Sequence, residues 1–285
     1  MSVLIGFSYF IAASVLFTLN TLLWIVCKRK EYRTRTYMII RHLCLACMMQ
    51  LMVFIISGVM TMTQNNFGYA TDKICGAVVQ SGWFLYIGLS LTLAADRMIT
   101  FLGYSHSKLC HGISFVLLIA SWIMWLTFLV VLLLPEFGMT YTGLHRWDYV
   151  DDQGILMKVE KIVDFSAYII VFFIYVIVFV CFLKMRCLSA STHTQWIHME
   201  FRILIVAAIS FTYEMVFDVF WFWGGDFISN DTVAACLANA LWILDCGLFA
   251  ILTFLISRSI RKKLFAMIIK RQFKITIVST VINPH

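Results

Sequence analysis

The chain has 285 residues, of which 62% are hydrophobic and 13% are charged, and its formal net charge is +7. A soluble domain is about half apolar and about a quarter charged, so this composition excludes a water-soluble globular protein and favours one embedded in lipid. The two prolines are Pro135 and Pro284, and no run of Gly, Ser or Pro divides the chain. We therefore expect one domain over residues 1–274 and a cytoplasmic tail over residues 275–285.

Seven apolar stretches are long enough to cross a bilayer as helices. A crossing takes about 20 apolar residues, because lipid offers no hydrogen-bond partner to an open backbone. The first stretch lacks the basic start of a signal peptide, so we expect it to remain as a span. The sequence predicts an all-α membrane protein, a bundle of seven transmembrane helices. The spans cover residues 3–27, 38–61, 75–101, 113–134, 162–183, 201–223 and 233–257.

Basic residues are distributed unevenly between the two sides of these spans. Of the 22 lysines and arginines, all but Lys73, Arg146, Lys158 and Lys161 fall on one side. Because Lys and Arg accumulate in short cytoplasmic loops, we expect the amino terminus outside the cell and the carboxyl terminus inside. The triplet that begins at Asn230 then lies in the last outer loop, where it is a weak glycosylation signal, since such triplets also arise by chance.

Residues 258–274 follow the seventh span and alternate basic with apolar side chains at helical spacing. This pattern predicts a short amphipathic helix on the inner leaflet, with apolar residues in the acyl boundary and basic residues at anionic headgroups. Membrane lipid, and not nucleic acid, therefore accounts for the positive charge.

An acid and an arginine, Asp96 and Arg97, are adjacent at the inner end of the third span. One interpretation is that the pair only marks a helix end at the membrane interface. The other is a lock, in which Asp96 holds Arg97 at rest and release of the arginine opens a cytoplasmic cleft for a partner. With seven spans and an outer amino terminus, we favour the lock.

The run Asp96-Arg97-Met98 resembles the Asp-Arg-Tyr motif of the rhodopsin-like G-protein-coupled receptors, and the chain is more closely similar to the nematode serpentine chemoreceptors of the Srx and Srt classes. This resemblance implies a plasma-membrane receptor that binds an external small molecule, such as an odorant, and signals to a heterotrimeric G protein. It implies no cofactor. Further matches, in spans one, three, four and seven, are Asn20, Cys75, Trp125 with Pro135, and residues 242–247.

Four departures from that pattern remove parts of the usual receptor mechanism. The second span has Met49 and Gln50 near the place of a sodium-binding aspartate, and the sixth has no Cys-Trp-x-Pro hinge. Residues 249–253 stand where the seventh span would have Asn-Pro-x-x-Tyr. The outer loop from residue 136 to 161 has no cysteine to pair with Cys75, so we expect no disulfide there.

Three acids occupy mid-membrane positions, where an ionisable group is costly and is a functional candidate by default. Glu214 and Asp218 are four residues apart on one face of the sixth span, and Asp245 of the seventh is expected near the depth of Glu214. The acids could bind a cationic ligand, pass a cation, or be protonated and hydrogen-bonded. We expect the last for Asp245, whereas Asp218 suits ligand binding as well as a structural role. The available bonding partners are Asn20, Asn239 and Ser210.

Polar and aromatic residues of the third span add to this candidate site. Gln80, Trp83 and Tyr86 face the outer half of the bundle, where a largely apolar pocket with a few polar groups is expected. Aromatic residues at this level also form interfacial belts, which is the expectation for Trp221 and Trp223.

A transporter or channel and an intramembrane enzyme compete with the receptor hypothesis. A transporter is expected to show broken helices and matching halves, but Gly and Pro are almost absent from the span centres. An enzyme needs convergent acids, bases or metal ligands, and all seven histidines fall near or beyond the span boundaries. We therefore expect neither an enzyme nor a metal site. The three acids keep a cation pathway as the second hypothesis.

Overall fold

The structure, a computed structural model, describes residues 2–32, 34–102, 108–150, 154–188, 194–258 and 260–266. Seven helices in the described part of the chain are long and apolar enough to cross a membrane, so the prediction of a seven-helix membrane bundle is confirmed. They are α1 (Ser2–Cys27), α2 (Arg35–Thr63), α3 (Tyr69–Phe101), α4 (Lys108–Leu133), α5 (Ile155–Leu188), α6 (Thr194–Phe227) and α7 (Asp231–Ile256).

The predicted spans agree with these helices in number and order, but several helices begin earlier than predicted, and α5 and α6 also end later, at Leu188 and Phe227. Helices α5 and α6 begin at Ile155 and Thr194, about two turns before the predicted starts at residues 162 and 201. Hydrophobicity marks only the part of a helix that crosses lipid, whereas backbone hydrogen bonding continues into the polar turns that follow. The extra turns of α5 matter, because they carry Glu160 into the bundle.

Glycines allow α1 to pack closely against two neighbours. A Cβ atom added to Gly58 of α2 would lie 2.9 Å from the carbonyl oxygen of Gly6, and one added to Gly6 would lie 2.6 Å from that of Gly58. On the other side, Gly247 of α7 faces Leu16 so closely that an added Cβ would lie 2.4 Å from a methyl carbon. Small residues of this kind let membrane helices approach at backbone distance. Helix α1 is thereby fixed against both α2 and α7.

Helix α3 lies at the centre of the bundle and packs on α2, α4, α5 and α6. Its buried residues run almost without interruption between its two ends, so α3 connects the two halves of the protein. The end of the bundle where α1 begins is called the outer end, after the predicted orientation, and the opposite end is called the inner end. The largest buried side chains around it are aromatic, among them Trp83 and Tyr86 of α3 itself and Trp242 of α7.

The outer loop between α4 and α5 contains a short hairpin, which the all-α expectation did not include. Strand β1 (Met139–Tyr141) pairs antiparallel with β2 (Trp147–Tyr149), and Met139 lies opposite Tyr149. Met139 and Trp147 are fully buried, so the hairpin covers the outer end of the bundle. Strands of three residues give too short an alternation of polar and apolar residues to be recognised in the sequence.

Hydrogen bonds from α3 hold this hairpin in place. The Asp72 carboxylate accepts from the backbone N–H of Tyr141 at 2.9 Å and from the hydroxyl of Thr140. The Tyr141 hydroxyl bonds Thr61 of α2 at 2.6 Å, and burial raises the pKa of Tyr141 to about 12, so it stays neutral. Cys75 is buried one turn below Asp72 and is a free thiol. The hairpin is therefore attached to α3 by hydrogen bonds to the Asp72 carboxylate.

The inner end carries the start of the expected basic helix. Residues 260–266 are helical, and Ile260 is buried against the bundle while Phe265 is exposed. Lys263 forms a salt bridge with Glu31 of the first inner turn, and the hydrogen bond from Lys263 lowers the pKa of Glu31. Residues 267–274 of this helix and the tail 275–285 lie outside the described residues.

Candidate functional site

A row of buried hydrogen-bond donors on α3 faces a row of carboxylates on α5 and α6. Gln80, Trp83 and Tyr86 are spaced three residues apart, share one face of α3, and are all buried, as expected from the sequence. Each donates a hydrogen bond to a different carboxylate. The three bonds are Gln80 Nε2 to Glu160 Oε1 at 2.6 Å, Trp83 Nε1 to Asp164 Oδ2 at 3.0 Å, and Tyr86 Oη to Glu214 Oε1 at 2.6 Å.

Two of these carboxylates were not among the candidates from the sequence: Glu160 fell in the predicted outer loop, and Asp164 fell at the start of the predicted fifth span. In the structure Glu160 is 3% exposed and Asp164 is fully buried. The hairpin contributes to this burial, because the Tyr149 hydroxyl donates to Glu160 Oε2 at 2.9 Å. A signal was present: Glu160 and Asp164 are four residues apart on one helix face, the same spacing as Glu214 and Asp218 on α6.

Asp218 lies where the two acid pairs meet. It is buried, within electrostatic range of Glu160, and faces Asp164 across the interface of α5 and α6. One of its oxygens, Oδ2, has no hydrogen-bond partner at ordinary distance among the described residues, but the Tyr168 hydroxyl, which also lacks one, lies close enough to interact with this carboxylate. Asp218 lines a narrow gap between side chains that has no room for a water molecule. The other residues around this gap are Trp83, Glu160, Phe217, Trp221 and Trp242.

Asp245 of α7 is also buried and lies within electrostatic range of Glu214. The expectation that Asp245 is hydrogen-bonded was wrong, since neither carboxylate oxygen has a partner among the described residues. Asn20, the polar residue expected in the core, donates instead to the carbonyls of Leu16 and Cys246, at 3.0 Å each. Asn20 therefore joins α1 to the backbone of α7 and leaves Asp245 without a partner.

Aromatic rings enclose the acidic residues. The ring centroids of Trp83 and Trp242 are 5.9 Å apart, and those of Trp221 and Trp242 are 5.3 Å apart. The expectation of an interfacial belt was wrong for Trp221, which points into the bundle. Trp223 lies at the outer end, where the Lys161 ammonium is 3.8 Å from its ring centroid. Trp221 and Trp223 are two residues apart on α6, so their side chains point to roughly opposite sides of the helix.

Among the described residues, none is a cationic partner of these five carboxylates. None of the salt bridges formed among the described residues involves Glu160, Asp164, Glu214, Asp218 or Asp245. The nearest outer basic side chains are engaged elsewhere: Arg146 pairs with Asp148 at 2.8 Å, and Lys161 lies over Trp223. A buried charge without a partner is expensive, so these groups must be protonated or neutralised by a bound cation. Within the described chain, no group of three acids, histidines or cysteines is arranged to hold a metal ion.

A second polar site lies at the inner end of α3. Asp96 and Arg97 are both fully buried, and Arg97 Nη2 is 2.6 Å from Asp96 Oδ2. Arg35 at the start of α2 binds the other oxygen of Asp96, with Nε 2.9 Å from Oδ1. Thr36 donates to Asp96 at 2.8 Å and accepts from Arg97. The sequence identified Asp96 and Arg97 but not Arg35 or Thr36, because contacts between helices depend on packing that a motif does not contain.

Asn230 caps α7, since its side-chain oxygen accepts from the backbone N–H of Val233 at 3.1 Å. The Asn side chain thus has a structural use that accounts for its place in the sequence. Glycosylation at Asn230 remains a prediction.

Comparisons with known proteins show which solved structures have a similar fold. No protein-family model matches the chain, and no curated protein matches it in sequence. Solved structures do match it, among them the crystal structure of squid rhodopsin, with a TM-score of 0.73 over 92% of this chain and 83% of that one. The two sequences are 14% identical, a level at which the likeness shows the fold alone. The chain is a multi-pass membrane protein with the seven-helix fold of rhodopsin.

Proposed function

We propose that the protein is a G-protein-coupled chemosensory receptor of the plasma membrane, with its amino terminus outside. It binds an external small molecule in the outer half of the bundle and signals through a heterotrimeric G protein. One observation carries this proposal: a single helix, α3, bears a buried polar and aromatic site at its outer half and the buried Asp96–Arg97 pair at its inner end. The resemblance of Asp96-Arg97-Met98 to receptor motifs, in a rhodopsin-like fold, supports the same function.

The mechanism follows from where the contacts lie. A ligand between α3, α5, α6 and α7 competes for the hydrogen bonds that join these helices, such as the bond from Tyr86 of α3 to Glu214 of α6. In the resting state Asp96 and Thr36 hold Arg97 at the inner end. Ligand binding favours a second arrangement of the bundle, in which Arg97 leaves Asp96 and meets the G protein. Because the two sites share α3, a small movement of this helix reaches both.

The ligand class is proposed from the resemblance to nematode serpentine chemoreceptors, which implies an odorant or another external chemical. A ligand that parts the side chains around Asp218 meets largely aromatic surroundings, which suit a small organic molecule. In the described part of the chain, acids and donors are paired along helix interfaces and are not gathered around a nucleophile. We therefore propose binding, and no chemical reaction, at this site.

The test compares the intact receptor with Arg97→Ala. Both are expressed with an amino-terminal tag, labelled on unpermeabilised cells to check orientation and surface level, and G-protein activation is recorded against an odorant panel. Arg146→Ala is the matched control, because Arg146 is an arginine that pairs with a neighbouring aspartate at the surface, in the hairpin. We expect ligand-dependent activation that is lost in Arg97→Ala and kept in the control. Activation that survives Arg97→Ala at equal surface level would overturn the mechanism.

A ligand-gated cation pathway is the second candidate, and the uncompensated carboxylates Glu214, Asp218 and Asp245 favour it. In that case a ligand-evoked cation current appears without a G protein and is unchanged in Arg97→Ala. Substitution of Glu214 by Gln then reduces the current. Recording current and G-protein activation in the same cells separates the two functions.

A further inference from the structure

We propose that Arg35 of α2 weakens the hold of Asp96 on Arg97, so that the charge at residue 35 sets how readily Arg97 is released without ligand. The proposal rests on the proposed function, because it concerns the regulation of the same inner site. Arg35 acts on Arg97 through Asp96 and is therefore a positioning residue. Three observations carry the proposal: two arginines share one buried aspartate, the contact of Arg35 is a contact of charges, and the two arginines occupy different oxygens.

Two arginines share the charge of Asp96. Arg97 Nη2 is 2.6 Å from Asp96 Oδ2, and Arg35 Nε is 2.9 Å from Oδ1. The Asp96 side chain is fully buried, and those of Arg97 and Arg35 are 1% and 10% exposed, so solvent screens these charges little. The two guanidinium groups repel each other across roughly twice the distance at which each contacts Asp96, and Coulomb energy falls inversely with distance. Arg35 therefore offsets about half of the attraction that holds Arg97.

The contact of Arg35 with Asp96 is a contact of charges and not an aligned hydrogen bond. Arg35 Nε and Asp96 Oδ1 are close, but neither has a hydrogen-bond partner among the described residues, and Arg35 Nη1 is buried in the same condition. Arg35 is also the first residue of α2, where a positive charge opposes the helix dipole. Neither feature stabilises the fold, since a buried donor without an acceptor is costly. The charge that Arg35 places beside Asp96 accounts for its position.

The two oxygens of Asp96 decide what remains when Arg97 leaves. Thr36 donates to Oδ2, the oxygen that Arg97 contacts, at 2.8 Å, and Arg35 lies beside Oδ1. Release of Arg97 therefore leaves a hydroxyl and a cation on the buried carboxylate. Without Arg35, the same step would leave a buried charge with no cation beside it among the described residues, which is costly. Arg35 thus stabilises the released state and weakens the locked one.

The first test is a series of charges at residue 35, measured as agonist-free nucleotide exchange per receptor at the cell surface. Arg35→Lys keeps the positive charge, Arg35→Gln removes it, and Arg35→Glu reverses it. We expect exchange close to that of the wild type for Arg35→Lys, about tenfold lower for Arg35→Gln, and lower again for Arg35→Glu. A role of shape alone would affect all three variants alike. Arg41→Gln is the control, since Arg41 is a half-buried arginine of α2 that forms no salt bridge among the described residues.

A second substitution checks that Arg35 acts through Asp96. In the double variant of Arg35→Gln with Asp96→Asn, the side chain that holds Arg97 is neutral. We therefore expect agonist-free exchange at least equal to that of the wild type. A receptor that Arg35→Gln had merely damaged would stay inactive in the double variant, and that result would overturn the proposal.

A readout without a G protein follows Arg97 directly. Phenylglyoxal modifies arginine side chains that solvent reaches, and the Arg97 side chain is 1% exposed in the resting arrangement. Its rate of modification on the purified full-length protein in detergent therefore reports the release of Arg97. The rate is read by peptide mass spectrometry relative to Arg146, whose side chain is 31% exposed. We expect a rate several-fold lower in Arg35→Gln, unchanged in Arg35→Lys, and higher in Asp96→Asn.

Failure of this proposal is distinguishable from failure of the proposed function. If modification of Arg97 follows the charge at residue 35 but no G protein is activated, the role of Arg35 stands and the coupling is refuted. If a G protein is activated but neither exchange nor modification changes along the charge series, the proposed function stands and the role of Arg35 is refuted. A rise of either quantity in Arg35→Gln would also refute it. If Arg35→Glu does not fold, the comparison of Arg35→Lys with Arg35→Gln decides.

Discussion

Replacement of Asp96 by Asn tests the inner site most directly. Asp96 is fully buried and balances two arginines, with Arg35 at 2.9 Å and Arg97 at 2.6 Å. Asn keeps the shape of the side chain but removes the negative charge, so both guanidinium groups lose their counter-charge. The resting state is destabilised more than the active state, because in the proposed active state Arg97 has already left Asp96. We therefore expect the variant to signal without ligand.

The size of the effect follows from the contact that the resting state loses. A hydrogen bond to a charged group contributes about 1.5–3 kcal/mol. If only the bond between Arg97 and Asp96 differs between the two states, the ratio of active to resting receptor rises roughly 10- to 150-fold. The remaining pair of Arg35 with Asp96 is lost in both states, so it lowers the thermal midpoint without changing this ratio.

The assay is agonist-free nucleotide exchange on a panel of purified G proteins, using membranes normalised to surface receptor by an amino-terminal tag. Asp148→Asn serves as control, because the Arg146–Asp148 pair is partly exposed and such surface pairs contribute about 0–1 kcal/mol. The reasoning is refuted if Asp96→Asn reaches the surface at normal level and its basal exchange equals that of the wild type.

Two further predictions concern the scaffold. Asp72→Asn weakens the charged hydrogen bonds to the hairpin, so we expect the free energy of unfolding to fall by about 1.5–3 kcal/mol. Hydrogen exchange over residues 139–149 is expected to become faster. Unchanged exchange there would contradict the attachment of the hairpin by Asp72. Gly58→Val places a branched side chain against the backbone of α1, with an expected loss of about 1–3 kcal/mol in the free energy of unfolding, read as a lower thermal midpoint. Gly225→Val is its control, because an added Cβ at Gly225 meets nothing within 4 Å; equal losses at both positions would refute the close packing of α1 and α2.

The seven helices could be predicted from the sequence because lipid imposes a strong condition. Every span must be apolar for about 20 residues and satisfy its own backbone, so hydrophobicity alone marks it. This condition does not apply outside the lipid, and the predicted helix ends were wrong there. The first turns of α5 were taken as loop, and Glu160 within them was taken as a residue of the outer surface. Its burial depends on Gln80 and Tyr149, which come from α3 and the hairpin.

The candidate site was predictable in part for the same reason. Gln80, Trp83 and Tyr86 share one helix face by their spacing, which the sequence shows directly. Their partners are 80, 81 and 128 residues away in the chain, and such pairings come from tertiary packing. The interpretation of Trp221 failed although a signal was present, because Trp221 follows Glu214 by seven residues and therefore lies on the same helix face as the buried acids.

The outer and inner sites are connected by more than the continuity of α3. Tyr86 and Arg97 are 11 residues apart, about three helical turns or roughly 16 Å, so they lie on the same face of the helix. Between them lies a small gap lined by Tyr86, Glu214 and Tyr175 of α5. Tyr175 is within electrostatic range of both Glu214 and Arg97. A ligand that draws Glu214 away from Tyr86 therefore changes the electrostatic field at Tyr175, a side chain that is also within range of Arg97.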